Sequence, residues 1–132
     1  IDTCSGITRL VRAGQTPTII QTAQGDFTVL NKGNLPVGVD RNFEYNEQEI
    51  CLGIGDRLLL YSDGISEARC FENKEQYGET RLYASMKSTA KLEFSAAISR
   101  IVQDLKDWLD PEKPKDDVSI LGIEMRGRFC QI

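Results

Sequence analysis

Two acidic elements define the chemistry this chain could perform. The first is Asp63, in Ser62-Asp63-Gly64. It follows an apolar run, Leu58-Leu59-Leu60-Tyr61, bounded by Gly55 and Gly64. A short run of this kind reads as a strand buried on both faces. A carboxylate at the end of such a strand, followed by the residue that lets the backbone turn freely, is well placed to hold a hard cation. The same Asp-Gly pair also closes ordinary hairpins. Against the hairpin, Ile65-Ser66-Glu67-Ala68 does not read as a returning strand. The second element is Asp116-Asp117, which opens the apolar segment Val118 to Ile123. Neighbouring strand residues point to opposite faces, so at most one of this pair can serve a site shared with Asp63. A solvated pair balanced by Lys113 and Lys115 is the competing account. If the two strands are neighbours, the carboxylates meet at one end of a sheet. Such a site is all-oxygen and water-rich, which suits magnesium or manganese and not zinc.

The 132 residues include no histidine. That removes the Ser-His-Asp triad, the Cys-His pair and His-ligated zinc together. Any catalysis must use carboxylates, a metal-bound water or residues from elsewhere. Cys4, Cys51, Cys70 and Cys130 are irregularly spaced with no C-x-x-C pair, so they read as free thiols of a cytoplasmic protein. The net charge of -4, with no stripe of Lys or Arg, argues against nucleic acid. No run approaches the ~18 apolar residues of a membrane span, and the first residues lack the pattern of a signal peptide. The apolar share of 40% and charged share of 27% are those of one ordinary globular domain.

The elements that must carry the acidic residues follow from the pattern. Strands are expected at Ile7 to Val11, Thr18 to Thr22, Phe27 to Leu30 and Phe43 to Leu52, forming antiparallel hairpins. Gln24-Gly25-Asp26 supplies one turn, and Ala13-Gly14-Gln15 another. A helix opens near Tyr77-Gly78-Glu79-Thr80 and runs to about Met86. A stronger helix begins at Ser95 as N-cap. Ile98, Ile101, Val102, Leu105, Trp108 and Leu109 then recur at spacings of three and four, until Pro111 and Pro114 end it. Strands, then helices, then a returning strand imply an α+β fold, with helices on one face of a mostly antiparallel sheet.

Taken together, several stretches carry a resemblance. Gly55-Asp56-Arg57-Leu58-Leu59-Leu60-Tyr61-Ser62-Asp63-Gly64-Ile65-Ser66-Glu67-Ala68-Arg69 closely resembles the central motif of the SpoIIE-type branch of the metal-dependent (PPM) serine/threonine protein phosphatases. Arg12-Ala13-Gly14-Gln15-Thr16-Pro17 resembles that family's Ala-Gly-His-Pro-like turn, with Gln15 where His or Asn is usual. Leu35-Pro36-Val37-Gly38, Tyr77-Gly78-Glu79-Thr80-Arg81-Leu82 and Lys115-Asp116-Asp117-Val118-Ser119-Ile120 match further motifs in the same order. The resemblance covers nearly the whole chain.

It implies a two-sheet β-sandwich flanked by helices, with two divalent cations, Mg2+ or Mn2+, at one end. Asp63 and Asp116 match two carboxylate ligands of that centre, and no catalytic residue beyond the metal ligands is implied. Gly64 and Asp117 stand beside the ligands as supporting residues. An earlier family motif, with the Asp that bridges the two metals, has no counterpart here, so the metal site is expected to be incomplete in this chain. Residues 1–125 are then the C-terminal part of a phosphatase domain, with its N-terminal part missing, and 126–132 are a tail. The implied substrate is a phosphoprotein, in this branch a phosphorylated anti-sigma-factor antagonist, with a sensor or receiver domain upstream. The alternative is a non-catalytic, phosphatase-like adaptor or output domain of a response regulator.

Overall fold

A computed structural model describes residues 1–111 and 113–127. In chain order the elements are β1 (Ile7–Leu10), β2 (Thr18–Gln21), β3 (Phe27–Leu30), β4 (Gln48–Cys51) and β5 (Arg57–Tyr61), then α1 (Asp63–Ser66), α2 (Gly78–Ser88), α3 (Phe94–Leu109) and β6 (Ile120–Glu124). Of the expected tail 126–132, residues 128–132, including Cys130, lie outside the described residues.

The apolar run does become the central strand. β5 is flanked by β2 and β6 in a four-stranded antiparallel sheet of order β3-β2-β5-β6. Leu58 and Leu59 point to opposite faces, and both are buried. Leu59, Tyr61 and Ile19 face the helices, where Leu82 and Met86 of α2 and Ile101, Leu105 and Leu109 of α3 complete the main core. On the other face Leu58 meets Leu52 and Met125, with Ile20, Ile50 and Ile123 around them. That smaller core joins the sheet to a two-stranded one, β1 with β4. The chain is therefore layered as helices, main sheet and small sheet. Full burial of a side chain such as Ile19, Leu52 or Leu82 contributes roughly 1.5–3 kcal/mol.

Several expectations need correction. Only β2 and β3 form a hairpin of consecutive strands, while β1 pairs with β4 across the chain. The strand expected from Phe43 begins only at Gln48. Upstream of it, the Asn34 side chain takes the Asn46 amide at 2.9 Å and Tyr45 reaches the Pro36 carbonyl at 3.3 Å, so this segment spends its polar groups inside its own loop. The last strand begins at Ile120 and not at Val118, because Ser119 gives its amide to the Ser62 hydroxyl at 2.9 Å. Asp116 and Asp117 therefore lie in a bend ahead of the strand, and strand alternation does not set their directions.

The cap of α3 is Glu93 and not Ser95. Glu93 Oε2 accepts from the amides of Ser95 at 2.8 Å and Ala96 at 3.3 Å, and the Ser95 hydroxyl donates to the same oxygen. Its other oxygen takes Arg126 Nη2 at 2.8 Å. The hydrogen bond from Ser95, then that from Arg126, holds the Glu93 carboxyl down at about 2. A carboxyl lowered in the folded state adds stability that is present above the unfolded value and lost as pH falls toward the folded one. Thermal unfolding of Glu93→Gln should therefore fall less steeply than wild type between the ordinary value of 4.5 and about 2. Parallel Tm profiles for the two proteins across that window would refute the capping account.

Candidate functional site

The two acidic elements do meet, and backbone contacts bring them together. β5 and β6 pair in register from Arg57 opposite Glu124 to Tyr61 opposite Ile120. The ladder then gives way to Ser62. Its amide donates to the Ser119 carbonyl at 3.0 Å. Its hydroxyl donates to the Asp117 carbonyl at 2.9 Å and accepts from the Ser119 amide at the same distance. One residue thus ties the approach to Asp63 to the strand that follows Asp116 and Asp117. Gly64 closes the contact. A Cβ there would lie 2.4 Å from the Asp117 carbonyl oxygen and 3.6 Å from the Asp116 carbonyl carbon. Asp63 starts the short α1, where its carbonyl accepts from the Glu67 amide at 2.8 Å.

The turn after β1 reaches the same end of the sheet. The Thr16 hydroxyl donates to the carbonyl of Tyr61, the last residue of β5. Gly14 is needed in that turn on two counts. Its φ is +85°, and a Cβ would stand 2.7 Å from the Pro36 ring. The ring of Tyr61 goes the other way, into the main core, where its hydroxyl donates to Glu79 at 3.2 Å while Tyr83 donates to the other Glu79 oxygen at 3.0 Å. Burial, then the Glu79 charge, raises the Tyr61 phenol, and burial with the Glu79 bond pushes Tyr83 up to about 12. Neither phenol ionises at neutral pH. The Tyr61 bond fixes the start of α2 against the end of β5, and the Tyr83 bond, within α2, holds the same carboxylate in place.

Between the two sheets, at this same end, a cavity of about 560 Å³ opens, lined among others by Val11, Arg12, Thr16, Leu60, Ser62 and Leu121. Arg12 donates to the Asn31 carbonyl, and its Nε is buried with no partner. Leu60 and Leu121, apolar and exposed, form its floor.

Of the residues singled out in the sequence, Asp63, Asp116 and Asp117 are all exposed, and Gly64 is buried between their loops. One Asp116 oxygen accepts from the Asp117 amide at 2.8 Å. Asp116 forms no ion pair with Lys113 or Lys115, although the three line one small cavity with Gly64 and Glu67. The oxygen donors of Asp63 and Asp116 suit a hard divalent cation in kind. They fall short in number, since no group of three or more His, Cys, Asp or Glu able to hold a metal occurs among the described residues. Ser62 and Thr16 escaped the sequence reading. Ser62 is visible as a hydroxyl residue before the aspartate, but its partner stands 55 positions away.

The profile of the family described as Stage II sporulation protein E (SpoIIE) matches residues 1–126. The chain belongs to the SpoIIE family. A relative, Protein IcfG of Synechocystis sp., is 27% identical over 124 residues, which span 93% of this chain and 19% of that protein. The SiaA-PP2C domain of Pseudomonas aeruginosa superposes with a TM-score of 0.76 at 18% identity, over 91% of this chain and 47% of that one. The manganese-presoaked phosphatase domain of SpoIIE from Bacillus subtilis does so with a TM-score of 0.73 at 16% identity, over 100% of this chain and 56% of that one. The fold is that of PPM phosphatase domains, and the chain spans about half the length of these solved domains.

In this SpoIIE-family chain the loop contact leaves no room for a side chain at position 64. Gly64→Ala should cost about 1–3 kcal/mol, the usual range for forced overpacking. The check is a lowered Tm together with shifted backbone resonances at Asp116 and Asp117. Unchanged resonances there would mean that the contact is not made in solution.

Proposed function

We propose that this chain is part of a metal-dependent protein phosphatase domain of bacterial signalling, acting on phosphoserine or phosphothreonine. The observation that carries the reading is the direct contact of the Asp63 loop with the Asp116–Asp117 loop at one end of paired strands. In a SpoIIE-family chain this contact supports Asp63 and Asp116 as ligands of magnesium or manganese, with Gly64 and Asp117 supplying the backbone that keeps them adjacent. When bound, such a pair of ions would supply charge neutralisation for the phosphate and a lowered pKa for a nucleophilic water. The chain's own part is to hold two carboxylates close together and to keep their loops fixed against the sheet. The absence of histidine is compatible with this chemistry, because the nucleophile is not generated by an imidazole. The remaining ligands are assigned to the rest of the domain, given that the chain spans about half of its solved relatives.

The substrate we assign is a phosphorylated anti-sigma-factor antagonist or a similar regulator, with a sensor or receiver domain upstream, in the cytoplasm. The family match supports this assignment. Among the described residues, no helix is long and apolar enough to cross a membrane. A second reading is a non-catalytic, phosphatase-like adaptor or output domain of a response regulator. It is favoured by the short donor set, two carboxylates where a paired-metal site needs more.

The two readings separate in one experiment. In the complete domain, Asp63→Asn should abolish manganese-dependent turnover of a phosphoserine protein while Tm stays within a few degrees of wild type. The 132-residue chain alone should bind manganese weakly and hydrolyse the same substrate negligibly. Full turnover by the Asp63→Asn domain would remove Asp63 from the ligand set, and a wild-type domain inactive at every manganese concentration would favour the adaptor.

A further inference from the structure

We propose that Ser62 is a positioning residue, whose hydroxyl sets the separation of the two carboxylate loops and thereby the affinity of the site for its cation. The inference depends on the phosphatase reading for the identity of the cation, but not for the geometry.

Three hydrogen bonds join this residue to the segment Asp117–Ser119, and two of them use the hydroxyl. Ser62 Oγ donates to the Asp117 carbonyl and accepts from the Ser119 amide, each at 2.9 Å. The bonds differ in kind from the ladder that precedes them. Up to Tyr61 and Ile120 the strands are joined backbone to backbone. Beyond that pair the Asp116–Asp117 bend would leave the Asp117 carbonyl and the Ser119 amide without strand partners. A single hydroxyl, donor and acceptor at once, satisfies both. It does so from the residue immediately before Asp63. The Asp117 carbonyl is also the atom that the Gly64 backbone approaches. The hydroxyl therefore acts on the same carbonyl that Gly64 packs against, in the residue that follows Asp116.

Alternatives for this serine are weaker. It makes no side-chain bond that caps α1. Its neighbour Ser66 bonds only locally, to the Asp63 carbonyl at 3.2 Å. Ser119, facing it, takes part through its amide and carbonyl alone. Among the side chains of Ser62, Ser66 and Ser119, the Ser62 hydroxyl is therefore the one that ties one loop to the other. Partners that orient metal ligands typically change metal affinity 10–100-fold when removed. A change of roughly tenfold is the expectation for one neutral hydroxyl.

The experiment compares Ser62→Ala, Ser62→Thr, Ser62→Cys and Ser119→Ala. Amide hydrogen exchange by NMR on the 132-residue chain, without metal, reads the clamp itself. In Ser62→Ala the Ser119 amide should exchange at least ~10-fold faster while the amides of Leu59 and Leu121 are unchanged, and Ser62→Thr should restore protection. In the complete domain, manganese binding is read by paramagnetic broadening and by the manganese concentration giving half-maximal turnover. Ser62→Ala should raise both midpoints by roughly tenfold, with turnover at saturating manganese little changed. Ser62→Thr and Ser119→Ala should match wild type. Ser62→Cys, whose sulfur is a weak partner, should fall between, and it replaces Ser62→Ala if that variant does not fold. Manganese midpoints unchanged in Ser62→Ala or Ser62→Cys, despite a freely exchanging Ser119 amide, would overturn the proposal. So would failure of Ser62→Thr to restore them. A complete domain that binds manganese with the predicted ranking but hydrolyses nothing would sink the phosphatase reading and leave this inference standing.

Discussion

The antiparallel register of β5 and β6 is the constraint on which the rest depends. Five residue pairs, from Arg57 with Glu124 to Tyr61 with Ile120, fix where the two acidic loops leave the sheet. A slip of one residue would invert every side chain of β6. Gly122 would then no longer face Phe94 and Ile98, against which a Cβ would already lie 2.5 Å and 3.0 Å away. Glu124 would lose Arg57, and Ile123 would leave the small core. Because packing on both faces resists that slip, the loops cannot be moved along the strands without dismantling both cores. The position of Asp63 relative to Asp116 is thus inherited from hydrophobic packing some distance away.

What the sequence made legible was mostly local. The run Leu58 to Tyr61 declares itself a doubly buried strand by composition alone. The spacing of Ile101, Leu105 and Leu109 declares one helix face, and all three are buried. Gln24-Gly25-Asp26 declares the turn between β2 and β3. The adjacency of β5 and β6, on which the site depends, is also real, although it was reasoned from chemistry and not from pattern. The failures share a cause: a side chain from a distant segment replaced a backbone partner. Asn34 captured the amide of Asn46 and cut short a strand. Ser62 captured that of Ser119 and delayed another. Glu93, an unusual N-cap by propensity, displaced Ser95 because its carboxylate also answers Arg126, 33 residues away. No local pattern carries such information. The pairing of β1 with β4 was equally invisible, because four-residue strands leave register to the core beneath them.

The two ends of the main sheet are held by different chemistry, and the difference bears on function. At the end away from the acidic loops, Arg57 bonds Glu124 at 2.8 Å with both side chains largely buried. Its guanidinium also reaches the carbonyls of Ala90 at 3.2 Å and Leu92 at 2.7 Å, which tethers the loop between α2 and α3. Arg126 extends the chain of charges from Glu124 to Glu93. Glu124 and Glu93 each have a guanidinium there, while the Asp56 carboxylate accepts the amides of Ala23 and Gly53. Removing one member of a buried pair such as Arg57–Glu124 is strongly destabilising.

At the acidic end the fastening is neutral. Serine and threonine hydroxyls, an amide, carbonyls and a glycine contact draw the loops together without an ion pair, although Arg69, Lys113 and Lys115 line a small cavity with Asp116. Among the described residues, neither Asp63 nor Asp116 has an arginine or lysine within ion-pair distance. Holding two carboxylate loops in contact without an ion pair opposes their mutual repulsion, which solvent screens in part because the side chains are exposed. A guanidinium in place of the Ser62 hydroxyl would relieve that repulsion, and it would also occupy the charge that the proposed cation would answer. The neutral clamp keeps the loops close and the negative charge unspent. At the far end Glu124 and Glu93 are therefore held by arginine. At the acidic end, among the described residues, Asp63 and Asp116 are in no ion pair, which leaves their charge free for the cation proposed above.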